Sequence, residues 1–187
     1  MNRIALLIPL LLLISCGGPE PRKPLKVRSG SFIKESARRN RQLLEMEEAL
    51  IGEIIKNDSL HEYIPTASGF WYFYEKSNDQ ASYTPLPGDR VSFEYTLMSL
   101  DNDTIYRQEE LGIQDYLVDK EDRAPLFPGL RQGIKILKEG ETATFLFPSS
   151  LSFGYPGDKD RIGTNVPLKS SITLLDIRKQ QENIQNK

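Results

Sequence analysis

The stretch that decides the fold is Leu126–Glu141, LFPGLRQGIKILKEGE. Its Pro128-Gly129 pair predicts the start of a short helix over Leu130–Lys138, because the first turn of a helix tolerates the missing proline N–H. The Glu139-Gly140 pair predicts where that helix ends. The segments on either side of this helix then indicate what it packs against.

Those flanking segments follow the two-residue period of β-strands. The predicted strands are Phe70–Tyr74, Arg90–Met98, Thr104–Arg107, Thr142–Phe147 and Ser171–Ile177. Several strands with one short helix between them predict an α+β domain, in which an antiparallel sheet is covered by that helix.

Composition excludes several classes of protein. The chain has 187 residues, with 24 Lys and Arg against 26 Asp and Glu, one His and one Cys. The net charge of −2 lacks the basic character of nucleic-acid binders, so no nucleic-acid partner is expected. One Cys excludes an intramolecular disulfide and a cysteine-based zinc site. An apolar content of 39% suffices for a folded core.

The first residues have the pattern of a secretory signal. Ile4–Ile14 is an uncharged run of eleven residues after Arg3. It is about half as long as a helix that crosses a roughly 30 Å hydrocarbon core, which predicts a signal peptide at residues 1–15. Leu13-Ile14-Ser15-Cys16 resembles the bacterial lipobox, in which the Cys is lipidated and becomes the mature N-terminus. The alternative is an ordinary cleavage site with a coincidental Cys.

Residues 16–30 contain three Pro and no apolar periodicity, which predicts a flexible tether from lipidated Cys16. Eight Lys and Arg residues between Glu20 and Arg41 favour attraction to anionic lipid headgroups, and a solvated surface is the alternative. Gly17 stands where some bacteria use Asp to retain lipoproteins at the inner membrane. The expected location is the cell envelope, lipid-anchored and facing the periplasm, with the outer membrane favoured.

A long helix is predicted over Ser31–Lys56, because apolar residues recur there every three or four positions, at Leu43, Met46, Leu50 and Ile54. We assign residues 31–63 to this helical arm and residues 64–187 to the sheet domain. The apolar stripe needs a partner. That partner is either the chain's own domain or, in a homodimer formed through this helix, a second copy of the chain.

The usual parts of proton-transfer, metal and covalent catalysis are not evident. The pairs Asp101/Asp103 and Asp158/Asp160 have alternate spacing, but an Ile breaks the calcium-loop pattern after each pair. His61 is interpreted as a surface or docking residue rather than a general base. No cofactor and no metal are therefore expected.

Several motifs occur in the order of one known family. They are Gly88-Asp89-Arg90-Val91, the Leu126–Glu141 stretch, Phe147-Pro148, Phe153-Gly154-Tyr155 and Val166-Pro167. Over about residues 68–177 the chain resembles the FKBP-type peptidyl-prolyl cis-trans isomerases. The lipobox, the long helix and Gly69-Phe70-Trp71-Tyr72 further resemble the gliding-motility-associated FKBP-type lipoproteins. The resemblance implies a curved antiparallel sheet, a half-barrel, wrapped around one short helix with an apolar pocket between them.

The resemblance also implies which side chains form that pocket. Its catalytic residues would be Tyr95, Tyr106, Phe127 and Phe153, and its substrate-binding residues Tyr116, Leu126, Leu130, Val166 and Leu174. The alternative for each is plain core packing. A dry pocket would favour the twisted transition state of a peptide bond, because that state carries less charge separation than the planar amide.

Three positions depart from the family pattern. Arg107 stands where the family usually has Asp, Leu130 where it has Trp, and Phe153 where it has Tyr. The resemblance with these departures implies weak isomerase activity and poor binding of macrolide inhibitors.

The expected function is that of a membrane-anchored peptidyl-prolyl isomerase that assists the folding of envelope proteins, linked to gliding motility or secretion machinery. Its partners would be X-Pro segments of those proteins, and the membrane through Cys16. The alternative is a non-catalytic FKBP-like chaperone or binding module of an envelope complex.

Overall fold

The computed structural model describes residues 29–120 and 126–180. The expected signal peptide, the expected lipidation site Cys16 and nearly all of the expected tether lie outside the described residues. The chain divides into two units, residues 1–37 and 38–187. The sheet and the greater part of the long helix belong to the second unit.

The described strands form one antiparallel sheet. They are β1 (Ile64–Pro65), β2 (Trp71–Lys76), β3 (Arg90–Tyr95), β4 (Leu97–Met98), β5 (Thr104–Tyr106), β6 (Gln114–Leu117), β7 (Thr142–Phe147) and β8 (Leu168–Arg178). Their order is β1-β2-β7-β8-β3-β6, and β4 pairs with both β5 and β8. The last strand therefore joins the two halves of the sheet.

The alternation along β3 and β8 sets the core face of the sheet. Val91, Phe93 and Tyr95 are buried, and the residues between them are not. Phe93 lies opposite Leu174 and Tyr95 opposite Ile172, so these side chains share one face. Fully burying an apolar side chain contributes about 1.5–3 kcal/mol, which makes this face the main source of stability.

Three helices accompany the sheet: α1 (Ser29–Asn57), α2 (Gln108–Leu111) and α3 (Pro128–Ile134). Helix α3 covers the core face and buries Leu130 and Ile134, which lie one turn apart. It ends at Ile134 rather than at the predicted Lys138. The N–H groups of residues 135–137 bond carbonyls three residues back, a tighter turn that interrupts the α-helix.

Helix α1 agrees with the predicted long helix within two residues at each end. From Arg38 onward its packing differs from the predicted stripe. Ile51 is fully buried in a second cluster with Leu100 and Leu146, whereas Met46 and Leu50 are 71% and 51% exposed. The helix therefore docks on the sheet domain through a face centred on Ile51, and Met46 and Leu50 lie outside that face.

The α+β class, the antiparallel sheet and the preceding long helix are confirmed. The sequence pattern did not predict β1, β6, α2 or the 3₁₀ turn Ser149–Leu151. It also started β8 at Ser171, three residues after its first residue in the structure. Among the described helices, none combines the length and apolar character needed to cross a membrane.

Candidate active site

Phe127 lies at the centre of the candidate site, immediately before α3. Its backbone is extended, with φ −69° and ψ 157°, so that the helix begins at Pro128. Its ring centroid is 5.5 Å from that of Phe147 in an edge-on arrangement and 5.2 Å from that of Phe153. Both distances fall in the range of favourable aromatic pairs. Phe127 is 4% exposed and Phe153 is half-buried, so Phe153 forms the outer wall.

The predicted site residues all belong to one hydrophobic cluster, but they lie at different depths. Tyr106, Phe153 and Val166 are partly exposed and can touch a ligand directly. The buried members are Tyr95, Tyr116, Leu126, Phe127, Leu130 and Leu174. Of these, Phe127 and Leu130 come from the start of α3 and therefore lie at the same end of the core as Phe153.

Leu174 lies at the other end of the core. Its carbonyl accepts the Gly140 N–H at 2.8 Å, and its own N–H donates to the Glu141 carbonyl at 3.0 Å. Both partners follow the C-terminal end of α3, whereas Phe127 precedes its N-terminal end. The structure does not bring Leu174 to the Phe127 end.

Tyr116 also lies away from Tyr95, near the opposite end of β3. It lies opposite Val91, whereas Gln114 lies opposite Phe93, two residues closer to Tyr95. Gln114 is thus a candidate site residue that the sequence pattern missed. No local pattern in the sequence identifies this position, because Gln114 is polar and only its pairing with Phe93 places it here.

A polar network holds Tyr106 at the edge of the cluster. Its hydroxyl donates to Asp158 Oδ2 at 2.6 Å and lies 3.1 Å from Asp160 Oδ2. The hydrogen bond to Asp158, together with partial desolvation, raises the pKa of Tyr106 to about 12. The phenol therefore keeps its proton, and its hydrogen bond to Asp158, above the pH at which an ordinary tyrosine ionises.

The turn that carries Asp158 is built around this carboxylate. Asp158 Oδ1 accepts the backbone N–H groups of Asp160 and Ile162, both at 2.8 Å. Desolvation opposes ionisation, but the hydrogen bonds from Tyr106 and from these amides hold the pKa of Asp158 below its ordinary value. The alternate Asp spacing was visible in the sequence, and it organises this turn.

Arg161, rather than Arg107, is the cation that the structure places over Tyr106. Its guanidinium carbon is 4.6 Å from the ring centroid, and its Nη1 pairs with Glu110 at 3.0 Å. Arg107 is exposed before α2, and its backbone N–H donates to Glu110 Oε2 at 3.0 Å. Arg107, which stands where the family usually has Asp, therefore lies outside the aromatic cluster.

The aromatic side chains form an apolar surface that excludes water, and Tyr106 and Asp158 are oriented polar groups at the edge of that surface. In the part of the chain that the structure describes, no group of three or more His, Cys, Asp or Glu side chains converges as metal ligands. Such a site can bind a short apolar peptide segment and favour its less polar conformations.

Comparison with known proteins places this site in context. Residues 82–175 match the family model described as FKBP-type peptidyl-prolyl cis-trans isomerase. A relative from Neisseria meningitidis serogroup B, described as a probable FKBP-type peptidyl-prolyl cis-trans isomerase FkpA, is 30% identical over 135 residues. That match covers 71% of this chain and 46% of the relative, so the chain spans about half the relative's length.

Two solved structures share the fold. FkpA from Escherichia coli has a TM-score of 0.55 and 18% sequence identity, with 80% of this chain and 64% of that chain covered. A peptidyl-prolyl cis-trans isomerase from Pseudomonas syringae has a TM-score of 0.58 and 17% identity, with 74% and 96% covered. At these identities the likeness concerns the fold alone.

Proposed function

The chain belongs to the family of FKBP-type peptidyl-prolyl cis-trans isomerases, and we propose on this premise that it catalyses rotation about X-Pro peptide bonds. The observation that carries the proposal is the Phe127–Phe153 pair, which forms an apolar wall at the start of α3. Peptide-bond rotation has a barrier of about 18–20 kcal/mol, which originates in amide resonance. Each 1.4 kcal/mol of preference for the twisted amide gives about a tenfold faster rate.

The chain's own groups support each part of this reaction. Phe127, Leu130 and Phe153 exclude water from the twisting bond, and the backbone N–H of Phe127 is the expected donor to a relocated carbonyl. Tyr106, oriented by Asp158, borders the same surface. No proton changes hands, since the rate gain comes from desolvation and shape.

The test is the exchange rate of X-Pro peptides, followed by NMR with the full chain in detergent. We expect enhancement that falls at least fivefold in Phe153→Ala. Leu60→Ala is the matched control, because Leu60 is 86% exposed and lies outside the cluster. Equal rates with and without the protein would refute the isomerase.

A non-catalytic chaperone or binding module is the second candidate, favoured by Leu130 and Phe153 at positions where the family usually has Trp and Tyr. It predicts peptide binding without rate enhancement. Shifts of the Val166 and Tyr106 amide signals on titration with the same X-Pro peptides, together with an unchanged exchange rate, would identify the binding module.

We propose further that the chain acts on envelope proteins while anchored to a membrane through lipidated Cys16, facing the periplasm and with the outer membrane favoured. The support is the lipobox-like sequence before Cys16 and the basic residues that follow it. Membership of a gliding-motility or secretion assembly is part of this proposal and rests on sequence resemblance.

A homodimer through α1 is also proposed, because Met46 and Leu50 remain exposed after the helix has docked. Sedimentation of the full chain and of Met46→Lys tests it. The proposal requires that the substitution shift a dimer to a monomer, and a monomeric parent chain would refute it.

A further inference from the structure

A cavity of about 320 Å³ lies beside the loop that carries Phe153. It is lined by residues of α1 and of the segment between β7 and β8, and none of the predicted site residues lines it. Its lining residues are Asn40, Leu43, Leu44, Glu47, Ser149, Ser150, Gly154, Tyr155 and Asn165. The volume is at the lower end of the range for small-ligand pockets.

Glu47 gives the cavity its chemical character. Its side chain is 5% exposed, although carboxylates are rarely buried without partners. Oε2 accepts the backbone N–H of Ser149 at 2.8 Å. Oε1 is buried and has no hydrogen-bond partner among the described residues. Unsatisfied buried acceptors are rare in folded proteins, so this oxygen indicates a missing donor.

The rest of the lining specifies what kind of donor fits. Glu47 brings one formal negative charge, and no described lining residue is basic. Leu43 and Leu44 supply an apolar wall, and Tyr155, which is 79% exposed, supplies an aromatic ring at the rim. A cation on an alkyl stem matches this combination, because its stem can lie on apolar side chains while its charged head bonds the carboxylate.

We propose that this cavity binds the side chain of a Lys or Arg residue in a bound polypeptide. Phe153 of the candidate active site and Tyr155 of the cavity flank Gly154 on one loop. Gly154, which directly follows Phe153, lines the cavity, and an extended peptide advances about 3.3–3.6 Å per residue. A basic residue two or three positions from a proline at Phe153 is therefore the one expected to enter it. This link to substrate recognition rests on the proposed isomerase function, whereas cation binding in the cavity does not.

The first experiment titrates the full chain in detergent with Nα-acetyl-lysinamide and, in parallel, with the neutral Nα-acetyl-norleucinamide. The amide signals of Ser149, Ser150 and Asn165 report binding. We expect saturable shifts with lysinamide, at a dissociation constant of about 1–10 mM. Shifts of equal size with norleucinamide, or none with either probe, would overturn the proposal.

Two variants of the full chain test the role of the charge. Glu47→Gln removes the charge and keeps an acceptor for the Ser149 N–H, so lysinamide affinity should fall at least tenfold. Asn40→Lys places a competing cation at an exposed helix position and should have the same effect without altering a buried group. Unchanged affinity in the Asn40→Lys protein contradicts the assignment even where Glu47→Gln fails to fold.

The link to substrates is tested with pairs of X-Pro peptides that carry Lys or norleucine two or three residues from the proline, on either side. We expect kcat/KM to be at least threefold higher for one Lys peptide, with that preference lost in Asn40→Lys. Equal kcat/KM values overturn the link. Lysinamide binding without isomerisation of any peptide refutes the proposed function and leaves the cavity assignment standing.

Discussion

At the scale of single residues, Phe153 is the position where activity should respond most. Its ring already lies 5.2 Å from Phe127, and it lacks the hydroxyl of the Tyr that the family usually has there. Phe153→Tyr should raise kcat/KM for X-Pro peptides about three- to tenfold, because a new neutral hydrogen bond contributes about 0.5–1.5 kcal/mol. Phe153→Leu is the control and should lower it. An unchanged kcat/KM in the Tyr variant would mean that no substrate carbonyl reaches this position.

Asp58 is the residue whose ionisation should affect stability most clearly. The hydrogen bond from His61 Nδ1 at 2.8 Å, with further donors from Leu60 and Tyr63, lowers the pKa of Asp58 from its ordinary 3.8 to about 2. Because the folded-state pKa is lowered, the stabilisation is complete above about pH 5 and is lost as the pH falls through 3.8 toward 2.

Urea unfolding of the parent chain and of Asp58→Asn between pH 5 and pH 2 measures this effect. The difference in free energy of unfolding should shrink steadily as the pH falls. A difference that stays constant over this range would show that Asp58 titrates normally in the folded chain.

At the scale of elements, the close approach of α3 to the sheet depends on Gly129. A Cβ at this position would lie 2.5 Å from Cδ1 of the Phe147 ring and 2.8 Å from the Leu151 carbonyl oxygen. Gly129→Ala should therefore lower the free energy of unfolding by about 2–4 kcal/mol, since both neighbours must move.

Gly52 provides the matched control for Gly129. It lies within α1, and a Cβ there would meet no atom within 4 Å. Gly52→Ala should stabilise the protein by up to about 1 kcal/mol, because alanine is the better helix former. Denaturant unfolding of both variants checks the pair, and two equal effects would contradict the packing described for α3.

The docking of α1 depends on Ile51, which is fully buried in the cluster with Leu100 and Leu146. Ile51→Ala should cost about 2–5 kcal/mol of unfolding free energy. The nearby Glu48→Ala should change it by less than about 0.5 kcal/mol, because Glu48 is exposed. Similar losses in both variants, measured by urea unfolding, would indicate that the helix is not docked through Ile51.

The elements with strong local periodicity were predictable from the sequence, and those defined by long-range pairing were not. Val91, Phe93 and Tyr95 alternate within one strand, so β3 and the core face followed directly. Gln114 carries no apolar signal, and its position in β6 depends on pairing with Phe93. The 3₁₀ turn at Ser149 depends on Glu47, 102 residues earlier in the chain.

In the candidate site too, residues within a recognisable motif were predictable, and contacts between distant parts of the chain were not. Phe127 and Phe153 were identified from their motifs, and their contact is seen in the structure. Leu174 was assigned from the family resemblance, which places it on the core face of the sheet but does not give its distance from Phe127 along the strand. The partners of Tyr106 were hidden because a side-chain bond to Asp158 spans 52 residues.

At the scale of the whole molecule, anchoring is the property to test. If Cys16 carries the lipid, Cys16→Ala should move the protein from the membrane fraction to the soluble fraction of the producing cells. A high-salt wash of the parent chain is the control, because it removes proteins held only by basic residues. Retention of the Cys16→Ala protein in washed membranes would show that something other than a lipid holds it.

The position of β8 has a consequence for how the chain is made. Residues 168–178 pair with β7 on one side and with β3 on the other, so the two halves of the sheet cannot join without them. A ribosome releases these residues after all other strands, and pairings this distant in sequence form slowly. The nascent chain therefore stays open until β8 emerges, and during that time its unpaired strands are accessible to any factor that binds extended polypeptide.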